Sequence, residues 1–178
     1  SILTDVSLSG KDLTGTILRG MNLTDKDLTG TILRGADLTD ANLTGVDLSG
    51  RDLTGTILRG MDLTDKDLTG TILREANISN SILTDVSLSG KDLTGTILRG
   101  MNLTDKDLTG TILRGADLTD ANILGQDLSD HDLTDVILTG ADLSNSLLPD
   151  NGLSGKNFGR TIFNWVDFSG KDLSYSDF

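Results

Sequence analysis

A leucine, isoleucine or phenylalanine occupies every fifth position of this chain, from Leu3 through to Phe178, without a break in register. A period of five matches neither the turn of a helix nor the alternation of a long strand. Each five-residue unit must therefore place its third residue in a shared core. A short-repeat solenoid, in which stacked coils bury a common interior, is the architecture that this pattern predicts.

We call the five positions of each unit its slots, numbered so that Leu3 stands in the third slot. The fifth slot carries the residues that turns require. It holds mostly glycine, aspartate or asparagine, as at Gly10, Asp25 and Asn80. These residues tolerate the positive φ that a type II turn needs at its third position, and such a turn favours proline at its second. The only proline, Pro149, stands in that fourth slot, followed by Asp150. We therefore expect short extended segments joined by turns, with four segments closing a coil of about 20 residues.

The pentads also carry a family resemblance. Units such as ADLTD, ANLTG, ADLSN and VDLSG resemble the pentapeptide-repeat family, whose consensus is close to A(D/N)LXX, and the resemblance covers the whole chain. It implies an all-β, right-handed quadrilateral β-helix, a pentapeptide-repeat solenoid of about nine coils. The first and third slots would face inward and the other three outward. We expect one solenoid domain over residues 1–178, with aromatic-rich C-terminal coils at 156–178 within it.

The composition limits the partners. Asp and Glu number 27 against 15 Lys and Arg, so the formal net charge is −12. Direct binding to nucleic acid phosphates is disfavoured, whereas a basic protein partner and a merely solvated acidic face both remain open. No membrane span is expected, because the sequence lacks a run of about 18 apolar residues. The compartment stays undetermined, with the bacterial cytoplasm as a working assumption.

The repeat is unusually uniform. Residues 1–42 recur identically at 81–122. Such identity indicates either a recent duplication or deliberate construction from repeat modules, and the sequence does not distinguish the two.

Cations stand where the family pattern has small residues. The first slot holds Lys or Arg eight times and histidine once: Lys11, Lys26, Arg51, Lys66, Lys91, Lys106, His131, Lys156 and Lys171. Because burying so many unpaired charges would exceed the stability of a domain, we expect these cations to extend to solvent or to a neighbouring carboxylate. Lys26, for example, is flanked by Asp25 and Asp27.

Carboxylates recur at one outward slot, 20 residues apart. This column, which we term the acidic rail, comprises Asp27, Asp47, Asp67, Asp107, Asp127 and Asp167. Stacked carboxylates repel one another, and their spacing resembles a line of phosphates. Quinolone-resistance pentapeptide proteins resemble this chain in repeat and acidity, and that group is known for DNA mimicry toward gyrase. Its members commonly have loops that interrupt the coil, whereas the register here leaves no room for loops.

All six aromatic residues lie near the C-terminus. Phe158, Phe163, Phe168 and Phe178 occupy the inward third slot and predict a ring-filled core. Trp165 and Tyr175 occupy the outward fifth slot. We predict that Phe178, Tyr175 and Trp165 form a self-association surface that produces a two-fold homodimer through the C-terminal coils.

The sequence gives little support for a catalytic function. His131 is the only histidine, which excludes multi-histidine metal sites, and the chain contains no cysteine. Paired carboxylates are frequent, but a solenoid places them on a convex surface without an enclosing pocket. We therefore predict no catalytic, cofactor-binding or metal-binding residue. The function predicted is a non-enzymatic rigid scaffold or protein-interaction rod, and the alternative is an acidic DNA mimic that binds a type II topoisomerase (gyrase).

Overall fold

The computed structural model describes residues 6–178. Leu3, the first residue of the predicted core series, lies outside this range. The chain divides into two compact units, Ser1–Ser87 and Leu88–Phe178, which we call the N-terminal and C-terminal units. The single solenoid expected over residues 1–178 stays a prediction.

The regular structure consists of parallel bridges between residues 20 apart. Within residues 6–178 neither unit contains a helix or a strand longer than one bridged residue. In the N-terminal unit, second-slot residues pair from one coil to the next, as in Ile17 with Asp37 and Asp37 with Ile57. In the C-terminal unit the same spacing joins Asn102 with Asn122. The predicted coil of twenty residues is thus confirmed in each unit.

Each side of a coil ends in the expected turn. The first-slot amide donates to the third-slot carbonyl of the preceding pentad, as Thr16 does to Leu13 at 3.0 Å and Ala36 does to Leu33 at 2.9 Å. The fifth-slot residue between them has positive φ, +65° at Gly15 and +63° at Gly35. Many aspartates and asparagines in this slot, such as Asp25 at +54° and Asn80 at +56°, adopt the same conformation, as predicted from their tolerance of it.

The core lies along the inside of the coils. Third-slot leucines such as Leu33 and Leu93 are fully buried, and first-slot residues such as Ala36 and Thr56 are buried beside them. The inward orientation of the first and third slots is therefore confirmed. Each buried leucine contributes about 1.5–3 kcal/mol, so the stacked series offsets the cost of ordering the many short sides.

One place departs from the repeat. The sequence suggested a type II turn at Pro149 and Asp150, but residues 150–152 form a bend. In this described segment, no first-slot amide donates to the Leu148 carbonyl. Gly152, a second-slot residue, has φ +80°, and a Cβ there would lie 3.3 Å from the backbone of Leu133 and Thr134. The prediction of a regular turn here is wrong, because the residue with positive φ is Gly152 and not the fifth-slot residue Asp150.

The C-terminal core is filled by rings, as predicted. The ring centres of Phe158 and Phe163 lie 5.2 Å apart at 78°, and those of Phe163 and Phe168 lie 5.1 Å apart at 72°. Phe178 packs 5.3 Å from Phe158. These distances, and the edge-on angles of the first two pairs, are those that aromatic pairs prefer.

Candidate functional surfaces

The carboxylates of the acidic rail cap the turns. Oδ1 of Asp27 accepts the amide of Thr29 at 2.8 Å, and Asp67 accepts that of Thr69 at 2.7 Å. The same contact is made at Asp47, Asp107, Asp127 and Asp167. Our sequence analysis missed this role, although the spacing of Asp or Asn two residues before Ser or Thr is the usual signal of such a cap. The rail thus has a local structural cause.

The caps also keep rail carboxylates charged. Hydrogen bonds from Thr29 hold the pKa of Asp27 below its ordinary value, and Arg51 adds a smaller effect. At Asp47 the hydrogen bonds from Ser49 lower the pKa, while repulsion from Asp67 opposes them. Hydrogen bonds from the fourth slot likewise lower the pKa values of Asp107, Asp127 and Asp167. These exposed carboxylates are therefore ionised at neutral pH. The expected repulsion between neighbouring carboxylates is present at Asp47, but it raises the pKa less than the hydrogen bonds lower it.

Arginines pair with carboxylates on other sides of the coils. Arg19 Nε lies 2.5 Å from Asp37 Oδ2, and Arg99 Nε lies 2.6 Å from Asp117 Oδ2. Burial raises the pKa of Asp37, but hydrogen bonds from Thr39 and Arg19 bring it below its ordinary value. In each pair the arginine precedes the aspartate by 18 residues, so a fourth-slot cation meets a second-slot carboxylate of the next coil. These pairs link neighbouring coils through their side chains.

The length of the first-slot side chain limits where a coil side forms a bridge. Every bridge within the described part of each unit has Ala, Ser, Thr or Val in the first slot of its second coil, immediately before the bridged residue. Thr56, for example, precedes the bridge of Asp37 with Ile57, and Ala76 precedes that of Ile57 with Asn77. Bridges are missing within the described part of each unit where the first slot holds a longer side chain, namely Lys26, Arg51, Met61, Lys66, Gln126, His131, Asn151, Lys156 and Lys171. They are also missing after Val46, Val86 and Val166, so a small first-slot residue accompanies every bridge but does not by itself produce one.

The lysine contacts explain the missing bridges at Lys66 and Lys156. Lys66 Nζ donates to the carbonyls of Leu43 at 2.7 Å and Val46 at 3.2 Å. Lys156 Nζ donates to those of Leu133 at 2.6 Å and Val136 at 2.9 Å. In a bridged side, the first-slot carbonyl of the lower coil instead accepts a second-slot amide, as the Ala36 carbonyl does from Ile57. The ammonium therefore replaces a ladder amide.

Our prediction for these cations was partly wrong. Lys171 Nζ does reach a carboxylate, that of Asp150 at 2.6 Å. Lys66 and Lys156, however, bind backbone carbonyls, and Lys26 Nζ lies 3.4 Å from the Val6 carbonyl instead of pairing with its flanking aspartates. Lys156 is only 8% exposed. Desolvation lowers its pKa, and Asp135 and Asp132 oppose that effect.

The rail coincides with the open side of the N-terminal unit. Among the described residues of that unit, Asp27, Asp47 and Asp67 form no bridge, whereas the other three sides do. In the C-terminal unit, Asp127 bridges Leu147, which follows the small first-slot residue Ser146. The rail is therefore a row of charged caps on a side with few backbone links between coils.

His131 is buried and serves the core. Its Nε2 lies 2.9 Å from the Leu108 carbonyl and 3.1 Å from Thr111 Oγ1. Because a carbonyl only accepts, Nε2 carries the proton, and Nδ1 is buried without a hydrogen-bond partner. Among residues 6–178, no cluster of three or more histidine or acidic side chains is arranged to hold a metal ion. The contacts assign His131 a packing role.

Three aromatic residues of the C-terminal coils are highly exposed, two in the outward fifth slot and Phe178 in the third slot. Trp165 is 87% exposed, Tyr175 94% and Phe178 65%. Trp165 and Tyr175 also have φ of +63° and +60°, a conformation that large side chains rarely adopt. They occupy turn positions where glycine would be less strained.

Together, the turns, the pentad register and the twenty-residue coils define a short-repeat β protein of the pentad class. A family model described as Pentapeptide repeats matches residues 22–60, 52–90, 92–123 and 116–150. This chain belongs to the pentapeptide repeat family.

Solved structures of the family are similar to this chain. HetL, a pentapeptide repeat protein involved in heterocyst differentiation regulation from the cyanobacterium Nostoc sp. strain PCC 7120, is 33% identical, with 99% of this chain and 84% of HetL covered and a TM-score of 0.43. A pentapeptide repeat protein of the Arabidopsis thaliana thylakoid lumen is 29% identical over 64% of this chain and 69% of its own length, with a TM-score of 0.29.

Trypsin-treated QnrB1, a plasmid-mediated fluoroquinolone resistance protein, is 16% identical, with 98% of this chain and 87% of QnrB1 covered and a TM-score of 0.39. No curated protein matches the sequence. Across the described residues, no helix has the length and apolar character needed to cross a membrane.

Proposed function

We propose that this protein is a non-enzymatic repeat scaffold that binds another protein through its outer faces. One observation carries this proposal. Aspartates cap the turns and arginines pair with carboxylates of the next coil, so charged side chains form regular rows on the outer faces. HetL, the 33% identical relative, is involved in regulation of differentiation, a role that protein binding can supply. We also infer the family's right-handed quadrilateral β-helix for the coils.

The rail supports a second candidate, an acidic DNA mimic that binds gyrase. Its carboxylates are exposed and held ionised by their caps, as a phosphate substitute requires. Against this candidate, the described coils carry no inserted loop for docking a topoisomerase, and first-slot lysines border the rail. The scaffold is therefore the function that we favour.

A gyrase supercoiling assay separates the two candidates. We expect weak or no inhibition at micromolar protein, because nearby lysines dilute the field of the rail. Strong inhibition would overturn the scaffold proposal in favour of mimicry.

If inhibition occurs, Asp27→Asn, Asp47→Asn and Asp67→Asn should weaken it when combined. Asparagine retains the Oδ1 acceptor that caps each turn, as Asn42 shows toward Thr44 at 3.0 Å. The triple variant therefore removes charge without removing caps, and its circular dichroism should match the wild type. Unchanged inhibition would exclude these carboxylates as the cause.

We propose further that two copies associate through the C-terminal coils. Trp165, Tyr175 and Phe178 present large apolar surfaces close together in sequence, and Phe163 and Phe168 are only partly covered. Two-fold association places matching aromatic patches against each other, so little charge need be desolvated.

Light scattering at several concentrations tests the homodimer. We expect Phe178→Ser, and the double change Trp165→Gly with Tyr175→Gly, to shift the protein toward monomer. Glycine at these two positions relieves backbone strain of about 1 kcal/mol each, so the folded chain should become more stable while association weakens. A monomeric wild type would end the proposal, and equal dimerisation of both variants would move the interface elsewhere.

A further inference from the structure

The bend at residues 150–152 contains the only Asn-Gly step in the chain, Asn151-Gly152. Here we propose a chemical modification site: Asn151 deamidates through attack by its own backbone, and the product is aspartate or isoaspartate at position 151. The inference is independent of the scaffold proposal, since it rests on the local geometry of this bend.

The reaction needs a free amide nitrogen after the asparagine. The Gly152 nitrogen attacks Cγ of Asn151, so an N–Cγ bond forms, the Cγ–Nδ2 bond breaks, and Nδ2 leaves as ammonia with the proton from the Gly152 amide. Water then opens the resulting succinimide at either carbonyl, which creates one carboxylate. No oxidant or metal takes part, and solvent supplies the water.

The structure leaves that nitrogen free. On bridged sides the second-slot amide is bound to the coil below, as Asp142 is to Ala121 at 2.9 Å and Asn122 is to Met101 at 2.8 Å. Within the described chain, neither Asn151 nor Gly152 makes a hydrogen bond. This agrees with the bridge pattern, because Asn151 has a longer side chain than every first-slot residue that precedes a bridge in the described part of the chain. Hydrogen-bonded amides, by contrast, react only after local opening.

Solvent access also favours the site. The Asn151 side chain is exposed, and Gly152 has no Cβ to hinder approach of its nitrogen to Cγ. Asn151 lines an open cleft together with Asp150 and His131. Solvent therefore reaches both the reacting groups and the intermediate.

Two other asparagines serve as internal controls. Asn80 and Asn145 are exposed and precede serine, whose small side chain hinders attack by its amide nitrogen only a little more than glycine does. The following amides are bound within turns, Ser81 to Ile78 at 3.2 Å and Ser146 to Leu143 at 3.0 Å. Both asparagines should resist the reaction in the folded protein.

The test is incubation of the folded protein at mildly alkaline pH and 37 °C, followed by peptide mass spectrometry and ion exchange. We expect a gain of about 1 Da at Asn151 and an acidic charge variant, while Asn80 and Asn145 stay intact. Asn151→Gln should abolish the variant. A synthetic peptide of residues 146–156 gives the unprotected rate, and we expect the folded protein to react within about threefold of it. The proposal fails if Asn151 stays intact after the peptide has converted, or if Asn80 or Asn145 converts equally fast.

Discussion

Leu63→Asp in the N-terminal unit and Leu103→Asp in the C-terminal unit are expected to unfold the coils around them. Both leucines are 1% exposed and lie in the axial series of their unit. An aspartate there would be a carboxylate without a partner among apolar side chains, which costs several kcal/mol beyond the lost apolar contacts. Since domain stability is typically about 5–15 kcal/mol, the β signal in circular dichroism should largely disappear at 25 °C.

The matched controls carry the same charge change on the outside. Ile17→Asp and Ile112→Asp replace exposed second-slot residues, and Ile17 is 77% exposed. Aspartate is frequent in this slot, where its Oδ1 can cap the following turn, so both controls should melt close to the wild type. Unchanged melting of Leu63→Asp, or unfolding of Ile17→Asp, would show that the assignment of inward and outward slots is wrong.

Lys156→Thr is expected to stabilise the C-terminal unit. Thr56, in the same slot of the N-terminal unit, is buried, and its Oγ1 hydroxyl donates to the Leu33 carbonyl at 2.9 Å. The next residue, Ile57, forms a bridge with Asp37. Threonine at position 156 should do the same toward Leu133 and let Ile137 bridge Asn157. Because a desolvated ammonium is replaced by a hydroxyl that remains hydrogen-bonded, we expect the free energy of unfolding to rise by about 1–3 kcal/mol at pH 7.

This gain should depend on pH. Burial lowers the pKa of Lys156 in the folded protein below its ordinary value of 10.5. Between the folded and the ordinary pKa the unfolded chain binds more protons, so wild-type stability rises with pH through that window. The advantage of Lys156→Thr should therefore be largest below the folded pKa and narrow as pH approaches 10.5.

Urea unfolding at pH 7 and near pH 10 measures both effects. Lys66→Thr is the matched control, since Lys66 contacts the equivalent two carbonyls but is half-buried. We expect a smaller gain for it, because a half-buried ammonium keeps part of its hydration. Destabilisation by Lys156→Thr would mean that the two charge-assisted bonds outweigh the cost of burying the ammonium.

One feature of the surface could have been predicted from the sequence but was not, and another could not. The spacing of Asp27 and Thr29 is the ordinary signal of a side-chain turn cap, and reading it would have given the rail a structural cause at once. The partners of Lys66 were beyond sequence reasoning, because its flanking aspartates are close in the chain while the carbonyls that it binds belong to the previous coil. Local charge patterns indicate which charges are near, but not where a long side chain ends.

The sequence by itself determined the inward series from Leu8 to Phe178, the twenty-residue coil and the positive-φ turns. These follow from a strict period of five and from turn residues whose conformational preferences are local. Only the tertiary structure decided which sides form bridges, that Lys156 is buried against carbonyls, and that the chain bends at Gly152. The reason is distance along the chain: each of these outcomes depends on the fit between a first-slot side chain and backbone about twenty residues away, and no local propensity specifies that fit.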